Sequence, residues 1–374
     1  MDNASTSFPK PSCVTKAIED YINTCGSNVN RGSYTSAYEA EETIMKCRQN
    51  IASFFGCENP RNVIFTSGAT MGMNMVLLGM LSPGDHVLVS GMEHNAVMRP
   101  LTALMQDGIA YDTFQNAYDL KGKIGLRTKC IVMLHGSNIN GEVFDIERIG
   151  ELAMEAGCYF VVDASQTAGH IGIDFEKIKA DALVFSGHKG LMGPQGIGVV
   201  IMSERMARKC KPLIYGGTGS RSATLDMPEF LPDKFEAGTL NIPGIIGLNA
   251  AIEHINSIGI DEIFSREKYL TRLLIQKLSG LEGEGLIRII SSADKDIFTP
   301  IVLIVTKKID VADAARRLDE YYGVQTRVGL HCAPCAHKAL GTFPEGGIRF
   351  SLGFDNTEED INMAVDALYD ICHR

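Results

Sequence analysis

The sequence predicts an α/β protein with a large domain built on a mainly parallel sheet and a smaller α+β domain at its C-terminal end. Three observations lead to this prediction. The chain has 374 residues, more than a single typical domain holds. In its first half, short runs rich in valine and isoleucine alternate with helix-like segments. After residue 196 this alternation stops, and strand-like and helix-like segments follow in another order.

The apolar runs of the first half have the length and composition of buried parallel strands. They are NVIFT, HVLVS, CIVML, YFVVD and ALVFS, at 62–66, 86–90, 130–134, 159–163 and 182–186. Between them, the pattern predicts a buried crossover helix over 70–81 and an amphipathic helix over 145–157 that ends at a glycine. Together these segments predict a sheet whose two faces are covered by helices.

The second half of the chain predicts a smaller domain of different construction. IGVVIMS (197–203) indicates a strand with no crossover after it, and a long helical stretch begins near residue 243. Strand, helix, strand and helix then follow at 299–305, 311–323, 347–353 and 357–371. We expect residues 12–255 to form the large domain, and residues 1–11 and 256–374 to form the small domain.

Charge and composition exclude several classes of function. The chain has 45 acidic and 35 basic residues, and its formal net charge of −10 disfavours a surface for nucleic acid or anionic membranes. It has no uninterrupted apolar run of about 18 residues and no basic segment followed by an apolar run at its start. Its ten cysteines are scattered, which is typical of reduced thiols. We therefore expect a cytoplasmic protein that acts on a small molecule, with no nucleic acid or membrane partner.

Polar side chains follow three predicted strands at their carboxyl ends, where doubly wound sheets bind ligands. TSGAT (66–70) opens a helix whose N–H groups suit a phosphate, although a helix start without a ligand is an equally good interpretation. Asp163 ends YFVVD, and a buried carboxylate there needs a positive partner. Ser186, His188 and Lys189 follow ALVFS within one turn.

These groups together predict a site for pyridoxal 5'-phosphate. The helix start would bind the phosphate, Asp163 would pair with the cationic ring nitrogen, and Lys189 would form an imine with the aldehyde. The glycines of SGHKGLMGPQGIG (186–198) would let Lys189 reach the cofactor and swing aside when a substrate arrives. A surface lysine in a hairpin is the alternative, but it would leave Asp163 and TSGAT unexplained.

Seven segments along the chain occur in an order that is typical of one known family: DNASTSFPKP (2–11), TSGAT (66–70), EHNA (93–96), VVDASQTAGH (161–170), SGHKGLMGPQGIG (186–198), FEAGTLNIPG (235–244) and RVGLHCAP (327–334). Through these segments the whole chain resembles the class V aminotransferase family, and within it the cysteine desulfurases. RVGLHCAP is similar to the second group of these enzymes, which includes selenocysteine lyases. The resemblance implies a fold-type I pyridoxal-phosphate enzyme.

The resemblance also implies individual roles. Lys189 would carry the cofactor and Asp163 would pair with its pyridine nitrogen. Asn138 and Arg349 would meet the substrate carboxylate, for which an arginine fork is suited. From the residues alone, His94 is a loop histidine. The remaining implied contacts are Gln166 at the phenolic oxygen, His94 stacked on the ring, Ala69, Thr70, Ser186 and His188 at the phosphate, and Thr239 reaching the phosphate from the second subunit of a homodimer.

For the reaction, the resemblance implies that Cys332 is the nucleophile. After Lys189 removes the α-proton of L-cysteine, the Cys332 thiolate would take the sulfur as a persulfide, leave L-alanine and pass the sulfur to a small acceptor protein. Adjacency suggests that His331 helps to deprotonate Cys332. The nearest alternative is a selenocysteine lyase acting on L-selenocysteine. Weaker alternatives are an aminotransferase and a non-catalytic pyridoxal-phosphate-binding protein.

Two positions depart from the family pattern. Ser5 stands where the family commonly has a second alanine, which concerns the fit of the substrate. Cys335 follows Cys332 by three residues in HCAPCAH (331–337). We expect Cys335 to replace an apolar residue. A zinc site with the flanking histidines, and a redox or persulfide-relay role, remain as alternatives.

Overall fold

A computed structural model describes residues 1–29 and 32–373. Its helices are α1 (Ser12–Asp20), α2 (Thr35–Phe54), α3 (Ala69–Met80), α4 (Asn95–Leu104), α5 (Ala117–Lys123), α6 (Ile146–Glu155), α7 (Glu204–Lys209), α8 (Ile242–Ile258), α9 (Ile260–Gly283), α10 (Val311–Tyr322), α11 (Pro334–Ala339) and α12 (Glu358–His373). Its strands are β1 (Val63–Thr66), β2 (His86–Ser90), β3 (Ala110–Phe114), β4 (Thr128–Leu134), β5 (Tyr159–Asp163), β6 (Ala182–Ser186), β7 (Gly198–Met202), β8 (Ile287–Ile289), β9 (Ile301–Thr306), β10 (Arg327–Gly329) and β11 (Gly347–Ser351). The predicted α/β fold class is confirmed.

The large sheet has seven strands in the order β1-β7-β6-β5-β4-β2-β3. Strands β3, β2, β4, β5 and β6 run parallel, while β7 pairs antiparallel with both β6 and β1. The carboxyl ends of β1, β2, β4, β5 and β6 therefore meet at one edge of the sheet. All five apolar runs predicted as strands are confirmed within two residues of their predicted ends.

Continuous apolar runs form the inner strands because these strands are buried on both faces. Along β5, Phe160 and Val162 pack into one apolar cluster with α2, α6 and α8, while Val161 packs into a second cluster with α3 and α4. Edge strand β3 was not predicted, because most of its side chains are exposed and it carries no apolar run. The core on both faces thus holds the loops of the carboxyl edge in place.

The small sheet consists of four antiparallel strands in the order β10-β11-β9-β8. Helices α9, α10 and α12 pack against it around a separate apolar cluster. The N-terminal segment joins this sheet, because Asp2 forms a parallel bridge with Ser351 and the Ser351 N–H donates to the Met1 carbonyl at 2.9 Å. This contact supports the expected grouping of residues 1–11 with 256–374, although the domain boundaries stay a prediction.

In the part of the chain that the structure describes, no helix combines the length and the apolar character needed to cross a membrane.

Candidate active site

The loops at the carboxyl edge of the large sheet surround a cavity of about 160 Å³. It lies where the chain leaves β1, β2, β4, β5 and β6. Parallel strands bring their ends together although the residues are far apart in sequence. Nine of the predicted site residues line this cavity: Ala69, Thr70, His94, Asn138, Asp163, Gln166, Ser186, His188 and Lys189.

The start of α3 forms one end of the cavity. The residue before it, Gly68, places no side chain on the first N–H groups, and Ser186 Oγ lies 3.4 Å from the Ala69 N–H. A β-carbon at Gly198 would lie 2.5 Å from Gly68 Cα, so glycine at position 198 allows β7 to pack closely against the loop that precedes α3. His188 Nδ1 is buried without a hydrogen-bond partner. This end therefore offers several unused polar groups to an anion.

Asp163 and Gln166 lie at the end of β5 and are both buried. One carboxylate oxygen of Asp163 accepts a hydrogen bond from the Ser165 N–H at 2.9 Å. Gln166 Nε2 donates to the Ala4 carbonyl at 3.1 Å, which ties the N-terminal segment to the cavity wall. Asp163 thus presents a buried negative charge to any ligand in the cavity.

Lys189 follows β6 on a turn whose backbone packs closely against the loop after β5. A β-carbon at Gly190 would lie 2.5 Å from the Ala168 carbonyl oxygen and from the His170 ring, so only glycine allows this contact. Burial lowers the pKa of Lys189 to about 8, although the charge of Asp163 opposes the shift. At pH 8 about half of the amine is uncharged and able to act as a base or nucleophile.

His94 precedes α4 and caps its first turn. Its Nδ1 accepts a hydrogen bond from the Ala96 N–H at 3.0 Å, so the neutral ring carries its proton on Nε2. Burial lowers the pKa of this imidazole, against the opposing charge of Asp163. An uncharged aromatic ring therefore faces the cavity.

Glu93 is a residue of this region that the sequence analysis missed. It is completely buried, and its Oε1 accepts from Ser90 Oγ at 2.6 Å and from the Leu134 N–H at 2.8 Å. Its Oε2 is buried without a partner. Burial, together with the nearby charge of Asp163, raises the pKa of Glu93 to about 8, so the side chain is mainly a neutral acid at pH 7. A charged residue next to a buried strand was the available signal.

Replacing Glu93 with glutamine is expected to stabilise the protein in a pH-dependent manner. The unfolded chain releases this proton near pH 4.5, whereas the folded chain keeps it until about pH 8. Between these two pH values, the free energy of unfolding of the wild-type protein falls by about 1.4 kcal/mol for each pH unit, because the buried acid keeps a proton that the unfolded chain releases. Glutamine has no such proton, so the variant does not lose this stability. Denaturant titrations at pH 5, 6, 7 and 8 should show a growing gain of a few kcal/mol. The exposed control Glu58→Gln should show none, and a gain independent of pH would contradict this assignment.

The predicted carboxylate site lies beside the cavity. Arg349 on β11 is buried, and its Nη1 donates to the Asn138 carbonyl at 2.9 Å. Its Nη2 donates to Asp2 Oδ1 at 3.1 Å and to Ser5 Oγ at 2.9 Å. Arg349 Nε is buried without a partner, so one N–H of the fork remains available to a carboxylate. Ser5 also accepts from Arg327 Nη1 at 2.9 Å, so its hydroxyl links two guanidinium groups.

Cys332 is exposed and lies on a strained turn. His331 and Cys332 have φ angles of 48° and 58°, and the Ala333 N–H donates to the Leu330 carbonyl at 2.9 Å. Two successive positive φ angles are typical of a type I′ turn, where glycine and asparagine are preferred. Each such residue costs roughly 1–3 kcal/mol, which the surrounding contacts must offset.

Two hydrogen bonds attach this turn to the cavity. The Asn95 N–H, at the start of α4, donates to the Cys332 carbonyl at 2.8 Å. Asn138 Nδ2 donates to the His331 carbonyl at 2.8 Å. A negative charge on the sulfur of Cys332 also acts on Lys189, and it opposes the lowering of the lysine pKa by burial. The turn therefore holds an exposed thiol within electrostatic range of the lysine.

The structure contradicts the hypothesis that His331 deprotonates Cys332. Its Nε2 lies 3.1 Å from the Arg327 carbonyl and its Nδ1 lies 3.2 Å from His337 Nε2. Both ring nitrogens are engaged, and burial lowers the pKa of this imidazole to about 3. His331 has no lone pair left to accept the thiol proton.

Cys335 is the second residue of α11 and is half-buried against the apolar cluster that contains α3 and α4. This position suits the expected replacement of an apolar residue. Ala333 has an extended φ of −136°, so Cys332 lies outside the helical turn that places residues i and i+3 side by side. Across residues 1–29 and 32–373, no group of three or more histidine, cysteine or acidic side chains is arranged to hold a metal ion. The relay role stays a prediction without structural support.

Thr239 is the one predicted cofactor residue that does not line the cavity. It lies in the segment between α7 and α8 and is exposed on this chain. Its predicted contact from a second subunit stays a prediction.

Residues 1–363 match the sequence model of the aminotransferase class-V family. The chain belongs to the class V aminotransferase family. A probable cysteine desulfurase of Methanothermobacter thermautotrophicus is 32% identical over 382 residues, which cover 99% of this chain and 94% of that protein. A probable cysteine desulfurase of Pyrococcus abyssi is 31% identical, covering 99% and 93%.

Solved structures give the same similarity. The apo form of a cysteine desulfurase from Thermococcus onnurineus superimposes with a TM-score of 0.92 at 29% identity, covering 100% of this chain and 94% of that one. A cysteine desulfurase from Escherichia coli superimposes with a TM-score of 0.88 at 27% identity, with the same coverage. The fold of this class V aminotransferase is thus that of cysteine desulfurases.

Class V aminotransferases generally depend on pyridoxal phosphate, and the cavity of this one fits that group. The helix start and the unpartnered His188 Nδ1 suit a phosphate at one end. Buried Asp163 suits a protonated ring nitrogen, and Lys189 has an amine that is partly uncharged near neutral pH.

Proposed function

We propose that the protein is a pyridoxal-phosphate-dependent cysteine desulfurase. It would convert L-cysteine and the thiol of Cys332 into L-alanine and a persulfide on Cys332. The observation that carries this proposal is the exposed Cys332 thiol on a strained turn, whose backbone carbonyls accept hydrogen bonds from Asn95 and from Asn138 of the Lys189 cavity. The names of the relatives described above support the same reaction.

In this proposal, eight cavity residues and one residue from a partner subunit hold the cofactor. Ala69, Thr70, Ser186 and His188 would bind its phosphate, Asp163 its ring nitrogen and Gln166 its phenolic oxygen. His94 would lie on its ring, and Lys189 would hold its aldehyde. When bound, pyridoxal phosphate supplies an electron-poor ring that makes the α-proton of an amino acid acidic.

Lys189 would move the proton in this reaction. Its pKa of about 8 leaves part of the amine uncharged at neutral pH, so Nζ is able to accept the α-proton of L-cysteine. The same Nζ then carries the proton that the product needs. Burial near Asp163 keeps both protonation states of the lysine accessible.

Arg349 and Asn138 would orient the substrate. A carboxylate that accepts from Arg349 Nε satisfies the buried N–H that has no partner in the described structure. The backbone carbonyl of Asn138 accepts a hydrogen bond from Nη1 of the same guanidinium group. The side-chain Nδ2 of Asn138 donates to the His331 carbonyl in the turn that carries Cys332. Asn138 therefore couples the carboxylate position to the thiol position.

Cys332 would accept the sulfur. Its thiolate attacks the sulfur of L-cysteine, and a sulfur–sulfur bond forms as the carbon–sulfur bond breaks. The electron pair of the broken bond stays on the carbon, which takes up one proton and becomes the methyl group of alanine. Outside the cavity, the exposed persulfide is able to meet an acceptor, which we propose is a small protein. We further propose that the protein is a homodimer, in which Thr239 reaches the cofactor of the partner subunit. We also propose that it is cytoplasmic, because all ten of its cysteines have free thiols, as is typical of a reducing compartment.

The direct test is alanine production by the cofactor-loaded protein from L-cysteine and, separately, from L-selenocysteine under reducing conditions. We expect turnover of L-cysteine, with a single added sulfur atom on Cys332 when the acceptor and reductant are left out. Turnover of L-selenocysteine alone would replace the proposal with the selenocysteine lyase. An absence of alanine from both substrates would contradict the proposed reaction.

A further inference from the structure

A buried chain of side chains extends from His331 into the small domain. His331 Nδ1 lies 3.2 Å from His337 Nε2, and His337 Nδ1 lies 2.7 Å from Thr342 Oγ1. The two imidazole rings are stacked, with centroids 5.5 Å apart and an interplanar angle of 17°. All three residues are buried, with exposed fractions of 6%, 0% and 5%. The proposed reaction does not use any of them directly.

The acceptor at one end of this chain, the Arg327 carbonyl, determines where each proton lies. The Arg327 carbonyl only accepts, so His331 Nε2 carries a proton and Nδ1 is left with a lone pair. His337 Nε2 must therefore donate to His331, and His337 Nδ1 must accept from the Thr342 hydroxyl. The chain of hydrogen bonds runs in one direction from Thr342 to Arg327, and neither ring is charged.

This chain connects the two sides of the turn that carries Cys332. Arg327 belongs to β10, before the turn, and His337 belongs to α11, after it. The ring of His331 bonds to both, while the backbone of His331 and Cys332 keeps its positive φ angles. A left-handed conformation of non-glycine residues persists only where surrounding contacts hold it.

We propose that His337 and Thr342 are positioning residues for Cys332. They hold the His331 ring in one tautomer and one orientation, and the ring holds the strained turn so that the thiol remains directed at the sulfur of the substrate. This inference rests on the proposed role of Cys332. It assigns a function to His337 and Thr342, which lie outside every motif of the family resemblance.

The test uses the cofactor-loaded enzyme with His337→Leu and Thr342→Val, which remove the hydrogen bonds. His337→Gln keeps an N–H near the position of Nε2, Thr342→Ser keeps the hydroxyl, and His373→Leu is a surface control. We measure kcat and KM for alanine production from L-cysteine, the rate of Cys332 alkylation by iodoacetamide, and the thermal unfolding temperature. Small displacements of reacting groups cost up to about 100-fold in rate.

We expect kcat to fall by about 10- to 100-fold in His337→Leu and Thr342→Val, with KM changed by less than about twofold. His337→Gln and Thr342→Ser should recover kcat to within about threefold of the wild type. The alkylation rate should change in the two disruptive variants and return in the two conservative ones. Thr342→Val keeps the shape of the side chain, so it decides the question if His337→Leu does not fold.

Three results would overturn the proposal. The first is an unchanged kcat and alkylation rate in folded His337→Leu and Thr342→Val. The second is a loss that the conservative variants fail to recover, since the hydrogen bonds would then not be responsible. The third is a raised KM with unchanged kcat, which indicates a role in binding. A wild-type protein that makes no alanine would instead refute the proposed function, while the alkylation rates would still report on the turn.

Discussion

Replacing Cys332 with alanine is expected to lower alanine production from L-cysteine by roughly 10³-fold or more, because a nucleophile that forms a covalent intermediate has no substitute nearby. The half-buried thiol of Cys335 lies in α11, beyond the extended Ala333, and does not share the position of Cys332. The measurement is alanine formed per active site by cofactor-loaded protein with excess L-cysteine and a reductant. Mass spectrometry of the same samples should show no persulfide in the variant.

The matched control for this prediction is Cys335→Ala. It removes a thiol from the same segment and is expected to keep cysteine turnover within about twofold, as replacement of a packed apolar position would. L-selenocysteine provides a second comparison, because a selenol leaves more easily and needs a thiol less. Full cysteine turnover in Cys332→Ala would show that another group accepts the sulfur. A loss in Cys335→Ala equal to that in Cys332→Ala would instead support the relay role of Cys335.

Replacing Lys189 with alanine is expected to remove turnover of both L-cysteine and L-selenocysteine, by roughly 10³-fold or more. The reason is that Lys189 is the proposed cofactor attachment point and the proposed base, and burial places its pKa near 8 for the second role. Alanine production is the first measurement. The second is mass spectrometry after borohydride treatment, where the wild-type chain should retain the cofactor mass on Lys189 and the variant should not.

The exposed residue Lys338 supplies the control for Lys189. Lys338→Ala also removes one positive charge, close to the Cys332 turn in sequence, and is expected to leave turnover and cofactor attachment unchanged. Attachment of the cofactor to a lysine other than Lys189 would contradict the assignment. Retained attachment in Lys189→Ala together with lost turnover would separate the base from the attachment point.

Much of the large domain was predictable because strands that are buried on both faces of a sheet have a recognisable, continuously apolar sequence. β4, β5 and β6 are continuous apolar runs, and polar residues such as Asp163 and Ser186 mark the points where these strands end. The short strands β8 and β10 have only three residues each, and no periodicity is visible over such a length. Their positions are set by pairing with β9 and β11 instead.

The candidate site divides in the same way. Side-chain type and strand-end position were sufficient to select Asp163, Ser186, His188 and Lys189 from the residues alone, and the structure brings all four to one cavity. The protonation of Glu93 was not accessible, because its pKa depends on burial and on the distance to Asp163. The sequence also could not predict that both ring nitrogens of His331 form hydrogen bonds, because His337 and Arg327 contact the ring only in the folded chain.

The sequence by itself determined the α/β class, the strands of the inner sheet and the chemical groups at their carboxyl ends, because these follow from local periodicity and residue type. Only the tertiary structure decided which groups are charged and which are able to react. Cys332 obtains its strained turn from contacts with Asn95 and Asn138, and Arg349 obtains its orientation from Asp2 and Ser5. Hydrogen-bond geometry and desolvation depend on distances between residues far apart in the chain, and these distances exist only after folding.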